Sequence, residues 1–218
     1  MEVSMLSAIV PMRLAIRRDP FDHPDWLFEL KLDGFRSVAY IDNGVCRSVS
    51  RNANVYKSFG KLAVDLAATL RYRRVVLDGE IVCLDENGCP VFNQLFYRRG
   101  DPYFYAFDLL YQDGKDLRSL PLLERKRRLR QLIPLLPSRL LYVGHITERG
   151  NDLYREVCRR DLEGIVAKWQ HGTYLSGDVT SWVKIKNPKY TQAIGRWEHF
   201  QRKTAYRQTT TGELQIVS

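Results

Sequence analysis

The sequence predicts an α+β fold in which antiparallel β-sheets are flanked by helices. Three observations carry that expectation. Apolar segments of strand length recur along the chain and are joined by turn signals such as Asp42-Asn43-Gly44 and Asp85-Glu86-Asn87-Gly88. Segments with helical spacing are inserted between these hairpins rather than after every strand. The order therefore lacks the βαβα alternation of a parallel sheet.

Taken in order, residues 1–25 mix proline with charge and read as an irregular lead-in. Strand character begins at 26–31 and returns at 37–41 and 45–50, with Asn43-Gly44 between the last two tolerating positive φ cheaply. Phe59, Leu62, Ala63, Leu66, Ala67 and Leu70 recur at helical spacing and predict a helix over 58–71. Strands are expected at 75–84, 103–110, 140–146, 164–168, 182–186 and 191–196, and helices at 122–132, where Pro134 follows, and at 151–160. The polar stretch 201–218 reads as a tail or a short helix, and the chain shows no internal repeat.

Composition narrows the classes. With 218 residues and 44% hydrophobic content, the chain can build a core and is not a disordered tail. Lys and Arg total 34 against 25 Asp and Glu, a net +9 that suits a polyanionic partner such as nucleic acid; a basic protein without such a partner fits the charge equally. The four cysteines form no C-x-x-C pair and read as free thiols, and the four histidines show no metal-ligand spacing. No apolar run approaches a membrane span and no signal-peptide core opens the chain, so a cytoplasmic protein with no membrane partner is expected. Gly60-Lys61 and Gly114-Lys115 lack the Ser or Thr of a phosphate-binding Walker loop. Phosphates would then be held by side chains.

Five segments place reactive residue types together. In Glu29-Leu30-Lys31-Leu32-Asp33-Gly34-Phe35-Arg36, the period of a strand puts Glu29, Lys31 and Asp33 on one face; an exposed edge strand with a salt bridge would look the same. In Leu77-Asp78-Gly79-Glu80-Ile81, two acids share a face of an apolar strand, as for a metal, a cation or a sugar hydroxyl, with a structural pair as the other reading. Tyr105-Ala106-Phe107-Asp108-Leu109-Leu110 offers an aromatic, Phe107, whose commoner fate is the core. Leu162-Glu163-Gly164-Ile165-Val166-Ala167-Lys168 adds an acid and a lysine. Trp182-Val183-Lys184-Ile185-Lys186-Asn187 sets two lysines on one face, which suits an anion between them or an exposed amphipathic strand.

Together the five segments are identified as those of a family. Lys31-Leu32-Asp33-Gly34-Phe35-Arg36 resembles the K-x-D-G-x-R signature of the covalent nucleotidyltransferases, which comprise ATP-dependent DNA ligases, RNA ligases and mRNA capping enzymes, and the other four resemble the remaining nucleotide-pocket motifs in the same order. The lead-in Pro20-Phe21-Asp22-His23-Pro24-Asp25-Trp26 and the forms of the last two motifs resemble DNA ligases, and among them the ligase modules of bacterial end-joining and repair enzymes, over about Pro11 to Arg196. The resemblance implies an ATP-grasp-like nucleotidyltransferase fold, with an adenylation domain over 26–190. It implies that Lys31 attacks the α-phosphate of ATP, that the AMP passes to the 5′-phosphate of nicked duplex DNA, and that the 3′-hydroxyl then seals the nick. Carried over by position, Glu29 and Leu30 lie at the adenine edge, Arg36 and Arg51 contact ribose or phosphate, Phe107 stacks on adenine, and Lys168, Lys184 and Lys186 face the nucleotide, the last two gripping its α-phosphate. Glu80 reaches the ribose and, with Glu163, a Mg²⁺ or Mn²⁺ ion. Glu163 and Lys168 are five apart and cannot share a strand face, so Glu163 sits in the turn before the strand or a bulge at Gly164 re-aims it.

DNA ligases of this type continue into an OB-fold domain. Only 31 residues follow Asn187, so no OB-fold domain is expected, and 191–218 stands in its place as a strand and tail. Slow charging by ATP and weak, salt-sensitive nick binding are the corresponding expectations, with a separate OB-fold or repair protein as partner and a monomeric chain. The alternatives are a non-catalytic module that binds nicks or DNA ends, and a nucleotidyltransferase acting on RNA ends or a cap.

Overall fold

The computed structural model describes residues 9–176 and 180–193. Two mixed sheets face each other. The strands are β1 (Ala15–Ile16), β2 (His23–Leu30), β3 (Phe35–Asp42), β4 (Val45–Ser50), β5 (Val75–Cys83), β6 (Pro102–Gln112), β7 (Lys115–Asp116), β8 (Leu140–Tyr142), β9 (His145–Glu148), β10 (Gly164–Trp169) and β11 (Trp182–Lys186). The helices are α1 (Gly60–Thr69), α2 (Phe92–Phe96), α3 (Leu122–Leu132) and α4 (Gly150–Arg159). One sheet runs β1-β11-β10-β2-β9 and the other β4-β3-β5-β6-β7, with β8 added beside β6. The long pairings are antiparallel, as the hairpin signals predict. Two short parallel pairings, β1 with β11 and β8 with β6, were not legible in the turns.

Period-two alternation assigns each strand two fates. Val38, Tyr40, Val76 and Leu110 meet Leu27, Met12, Tyr174 and Trp182 between the sheets. Ala39, Leu77, Phe104 and Leu109 pack with Leu62 and Leu66 of α1 and Leu129 of α3. Phe28, Ile165, Ala167 and Ile185 pack with Val157 of α4 on the far side of the first sheet. Burying large aliphatic and aromatic side chains of this kind contributes about 1.5–3 kcal/mol each. The hairpin between β3 and β4 turns through Asn43 (φ 49°) and Gly44 (φ 75°), the positive-φ pair expected there.

Several boundaries depart from the sequence reading. The lead-in is not wholly irregular: Ala15–Ile16 pairs with β11, β2 starts at His23 rather than 26, and Met12 is fully enclosed. The expected single strand over 140–146 is two, because the chain leaves one sheet after Tyr142 and joins the other at His145. A period-two pattern cannot report such a change of sheet. Phe92–Phe96 forms a short helix whose five residues are too few to show helical spacing. At 191–196 the expected strand is instead a 3₁₀ turn over Thr191–Ala193, with 194–196 outside the described residues, as is the tail 201–218. All four cysteines are free thiols, and among the described residues no helix is long and apolar enough to cross a membrane.

Candidate active site

The five segments converge where the two sheets splay apart. A recess of ≈ 60 Å³ lies between them, walled by Glu29, Leu30, Lys31, Phe107, Val143, Val166, Lys168 and Trp182 among others. It opens past Leu14, Lys31, Arg36 and Glu80 into a cleft of ≈ 790 Å³ that also holds Arg13, Arg51 and Lys184.

Lys31 stands where recess and cleft meet. Strand β2 ends at Leu30, so the side chains beyond it need not follow the strand period. The Lys31 N–H donates to the Gly164 carbonyl at 2.9 Å, and its Nζ lies 2.6 Å from Glu163 Oε2. Both side chains are mostly buried, 18% and 10% exposed. Asp33, expected on the same face, lines neither the recess nor the cleft; it accepts from the Tyr190 hydroxyl at 2.8 Å in a small adjoining pocket that Lys31 and Glu163 also line. The turn that aims Lys31 needs Gly34, where a Cβ would sit 2.1 Å from the Ile81 carbonyl oxygen.

Glu163 precedes β10, which resolves its parity with Lys168: it sits in the turn before the strand. Gly164 follows at φ +150°, a conformation side chains disfavour, and a Cβ there would lie 2.3 Å from the Ile185 carbonyl oxygen. Val166 and Lys168 then face the recess while Ile165 and Ala167 pack outward. On β11, Trp182 and Lys184 face the recess and cleft, and Val183 and Ile185 face outward. Lys186, next on that face of β11, is exposed and lines neither the recess nor the cleft. Burial, then repulsion from Lys186 and Lys31, holds the Lys184 ammonium below the usual lysine range, so three cations crowd one region.

Phe107 is aimed by a bulge. Asp78 pairs with Asp108 and Gly79 with Ala106, leaving Phe107 as the extra residue of β6. Its ring meets Trp182 edge-on at 5.9 Å, and the Lys168 ammonium lies 4.3 Å from the Phe107 ring and 4.1 Å from that of Trp182.

The two acids of β5 part company. Asp78 is fully buried and structural: it accepts from Arg36 at 3.1 and 2.7 Å and from the Tyr174 hydroxyl at 2.7 Å. Arg36, which also donates to the Met12 carbonyl at 2.6 Å, is thereby fixed as a cleft wall. Glu80 faces the cleft, and among the described residues no hydrogen bond holds it as Asp78 is held. Burial pushes its pKa up to about 8, against the pull of Lys31 and Arg36 and with the help of Glu163 and Asp78. Among the described residues no group of three or more His, Cys, Asp or Glu side chains forms a metal site, so Glu80 and Glu163 are a two-acid set.

This geometry coincides with a sequence match. Residues 5–186 fit the model of the ATP dependent DNA ligase domain. The chain belongs to the ATP-dependent DNA ligase domain family. It is 35% identical over 168 residues to the multifunctional non-homologous end joining protein LigD of Pseudomonas aeruginosa, covering 74% of this chain and 20% of that protein. It is 29% identical over 196 residues to the SPbeta prophage-derived DNA ligase-like protein LigB of Bacillus subtilis, covering 85% of this chain and 70% of that one. A mycobacterial DNA ligase D solved with ATP and MES superposes with a TM-score of 0.74 at 31% identity, over 82% of this chain and 60% of that chain. The chain thus spans about a fifth of LigD and well over half of the solved ligase D chain.

Within this DNA ligase domain, sequence reasoning missed two buried cations. Arg125 and Lys126 belong to a helix read as basic, yet they are 0% and 1% exposed. Arg125 pairs with Asp108 through two 2.8 Å bonds, and Lys126 and Lys168 bind one oxygen each of Glu29. Burial alone would raise the Glu29 carboxyl, but the two ammonium groups outweigh it and leave it below the usual carboxylate range. The signal was available: Lys126 lies four residues after Leu122 and three before Leu129, on the face those two bury.

Proposed function

We propose that this chain is the nucleotide-charging core of an ATP-dependent DNA ligase and that Lys31 is its nucleophile. One observation carries the reading. A lysine amine stands at the junction of an aromatic-floored recess, suited to a purine, and a cationic cleft, suited to phosphates. The base would enter between Phe107 and Val166, with Glu29 and Leu30 at its edge. The triphosphate would lie toward Arg36, Arg51 and Lys184, with Lys186 beyond them on the exposed end of β11.

In the first step the Lys31 Nζ–phosphorus bond forms as the bond between α- and β-phosphates breaks. Pyrophosphate leaves with the electron pair, and the amine proton passes to Glu163 or to solvent. The AMP then moves to the 5′-phosphate at a DNA nick, and the 3′-hydroxyl displaces it to seal the strand. Positioning and charge neutralisation are the protein's contribution to such chemistry. A Mg²⁺ or Mn²⁺ ion fits the donor set, because desolvation of the Glu80 carboxyl at the cleft wall outweighs the pull of Lys31 and Arg36, and Glu163 adds charge beside it. Such an ion, held by Glu80 and Glu163, would neutralise phosphate charge.

The test is covalent labelling. Incubation with α-labelled ATP and Mg²⁺ should attach one AMP, seen by intact-mass spectrometry and mapped to Lys31. Absence of label, or equal label on Lys31→Ala, refutes the reading. Nick binding without label would favour a non-catalytic DNA-end module.

A further inference from the structure

Behind the Glu29 and Val143 wall of the recess lies a group that does not itself line it. Lys126, on α3, is 1% exposed and 97 residues from Glu29 in sequence. Its Nζ donates to Glu29 Oε1 at 2.5 Å and to the Val143 carbonyl at 2.7 Å. Both recipients wall the recess. The ammonium also lies 4.4 Å from the Tyr142 ring, which helps to shield its charge from solvent.

Lys168 already neutralises Glu29 from within the recess, at 2.6 Å. One carboxylate therefore carries two buried ammonium groups, where a single one would balance the charge. Burying a second cation is costly unless geometry requires it. The geometry shows what it does. Lys168 approaches Oε2 from β10, the strand beside β2, and Lys126 approaches Oε1 from α3, fixing both the depth and the rotation of the carboxylate. Through the same atom Lys126 pins Val143, the residue at which the chain crosses from β8 to β9.

We infer that Lys126 is a positioning residue for purine selection, acting through Glu29 and Val143 to hold a carboxylate at the base edge of the recess. The inference rests on the recess being the purine site. A carboxylate held there accepts from the 6-amino group of adenine and repels the 6-oxo group of hypoxanthine, so its exact placement sets the preference for ATP over inosine triphosphate (ITP).

The experiment measures ATP and ITP affinity by titration calorimetry on the full chain, for wild type, Lys126→Met, Glu29→Gln and the double variant. Labelling kinetics are run alongside to separate KM from kcat. Lys126→Met should weaken ATP binding about tenfold and lower the ATP-over-ITP preference by a similar factor, the loss of one charge-assisted bond. Its labelling rate at saturating ATP should stay within about twofold, a split that mere loosening of the fold would not give. In the Glu29→Gln background the same substitution should change the preference by less than about twofold, because the path through Glu29 is gone. If Lys126→Met does not fold, Lys126→Gln, which keeps an N–H donor, is read on the same two axes. An unchanged ATP-over-ITP preference, or an effect additive with Glu29→Gln, overturns the inference, as does a wild type that does not prefer ATP. A wild type that prefers ATP but takes no label refutes the Lys31 reading instead, and the Lys126 comparison still decides.

Discussion

Replacing Arg125 by Met should be among the most damaging single changes outside the recess. The guanidinium is enclosed, as is the carboxylate it pairs with, both 0% exposed. Its Nε and Nη2 donate to the two oxygens of Asp108 at 2.8 Å each, and its Nη1 donates to the carbonyls of Gly172, at 3.1 Å, and Leu120. Met fills similar volume, so the cavity contribution is small. Among the described residues the hydrogen bond left to Asp108 would be that from the Leu109 N–H, at 2.8 Å. An uncompensated buried charge costs about 3–5 kcal/mol; the Gly172 carbonyl keeps the Leu122 N–H at 2.9 Å, so the orphaned carbonyl is that of Leu120, at about 1–3 kcal/mol. A loss of about 4–8 kcal/mol approaches the whole stability of an ordinary domain, about 5–15 kcal/mol, and corresponds to roughly 10–25 °C in Tm. Urea unfolding followed by tryptophan fluorescence measures it, with Trp182 in the same inter-sheet cluster as Leu122 of α3. Combining Asp108→Asn with Arg125→Met removes the stranded charge and should recover about 2 kcal/mol or more. A single-variant loss below about 2 kcal/mol, or a double variant no more stable than the single, would refute the argument.

Other predictions test the site directly. Because Glu80 rises from 4.5 to about 8 on folding, the folded chain keeps a proton that the unfolded chain has released between those values. The Glu80 contribution to stability is therefore greatest below the unfolded value and is lost as pH rises through about 8; Glu80→Gln should flatten that part of the slope in melting curves taken without divalent ions, and an unchanged slope would exclude Glu80 as its source. Lys184→Gln should weaken ATP binding about tenfold, the cost of losing a charge-assisted bond to phosphate, and should reduce its salt dependence in calorimetry at two ionic strengths. Gly34→Ala would press a Cβ against the Ile81 carbonyl, 2.1 Å away, and should cost about 1–3 kcal/mol, with ATP labelling falling more than nucleotide affinity as Lys31 is displaced.

The sequence showed what repeats locally. Asn43-Gly44, the α1 spacing and the alternation in β3, β5, β10 and β11 each correspond to observed elements because turn chemistry and side-chain period act within a few residues. The same alternation brings Val166, Lys168, Trp182 and Lys184 to the interior. It misled where distant partners decide. Asp78 and Glu80 look equivalent on one strand, yet the hydrogen bonds of Arg36 and Tyr174 go to Asp78. Arg125 and Lys126 look like a solvated basic face until Asp108 and Glu29 arrive from other elements. The bulge that aims Phe107 depends on the pairing of β6 with β5, which no single strand encodes.

The crossing at Val143-Gly144 gives the molecule a spine. Strand β8 ends in one sheet at Tyr142 and β9 begins in the other at His145, so only two residues join the leaves along that edge. Three peptide steps reach at most roughly 11 Å, which keeps the leaves close there whatever happens elsewhere. Lys126 binds the Val143 carbonyl and so stitches this spine from outside. The wider cleft, where Arg13, Arg51 and Lys184 stand, is bounded instead by Lys31 and Gly34 of the longer link from β2 to β3. A nucleotide would then approach like a bookmark from the fore-edge, base leading and phosphates trailing, and its orientation would be settled before any contact with the base edge is made.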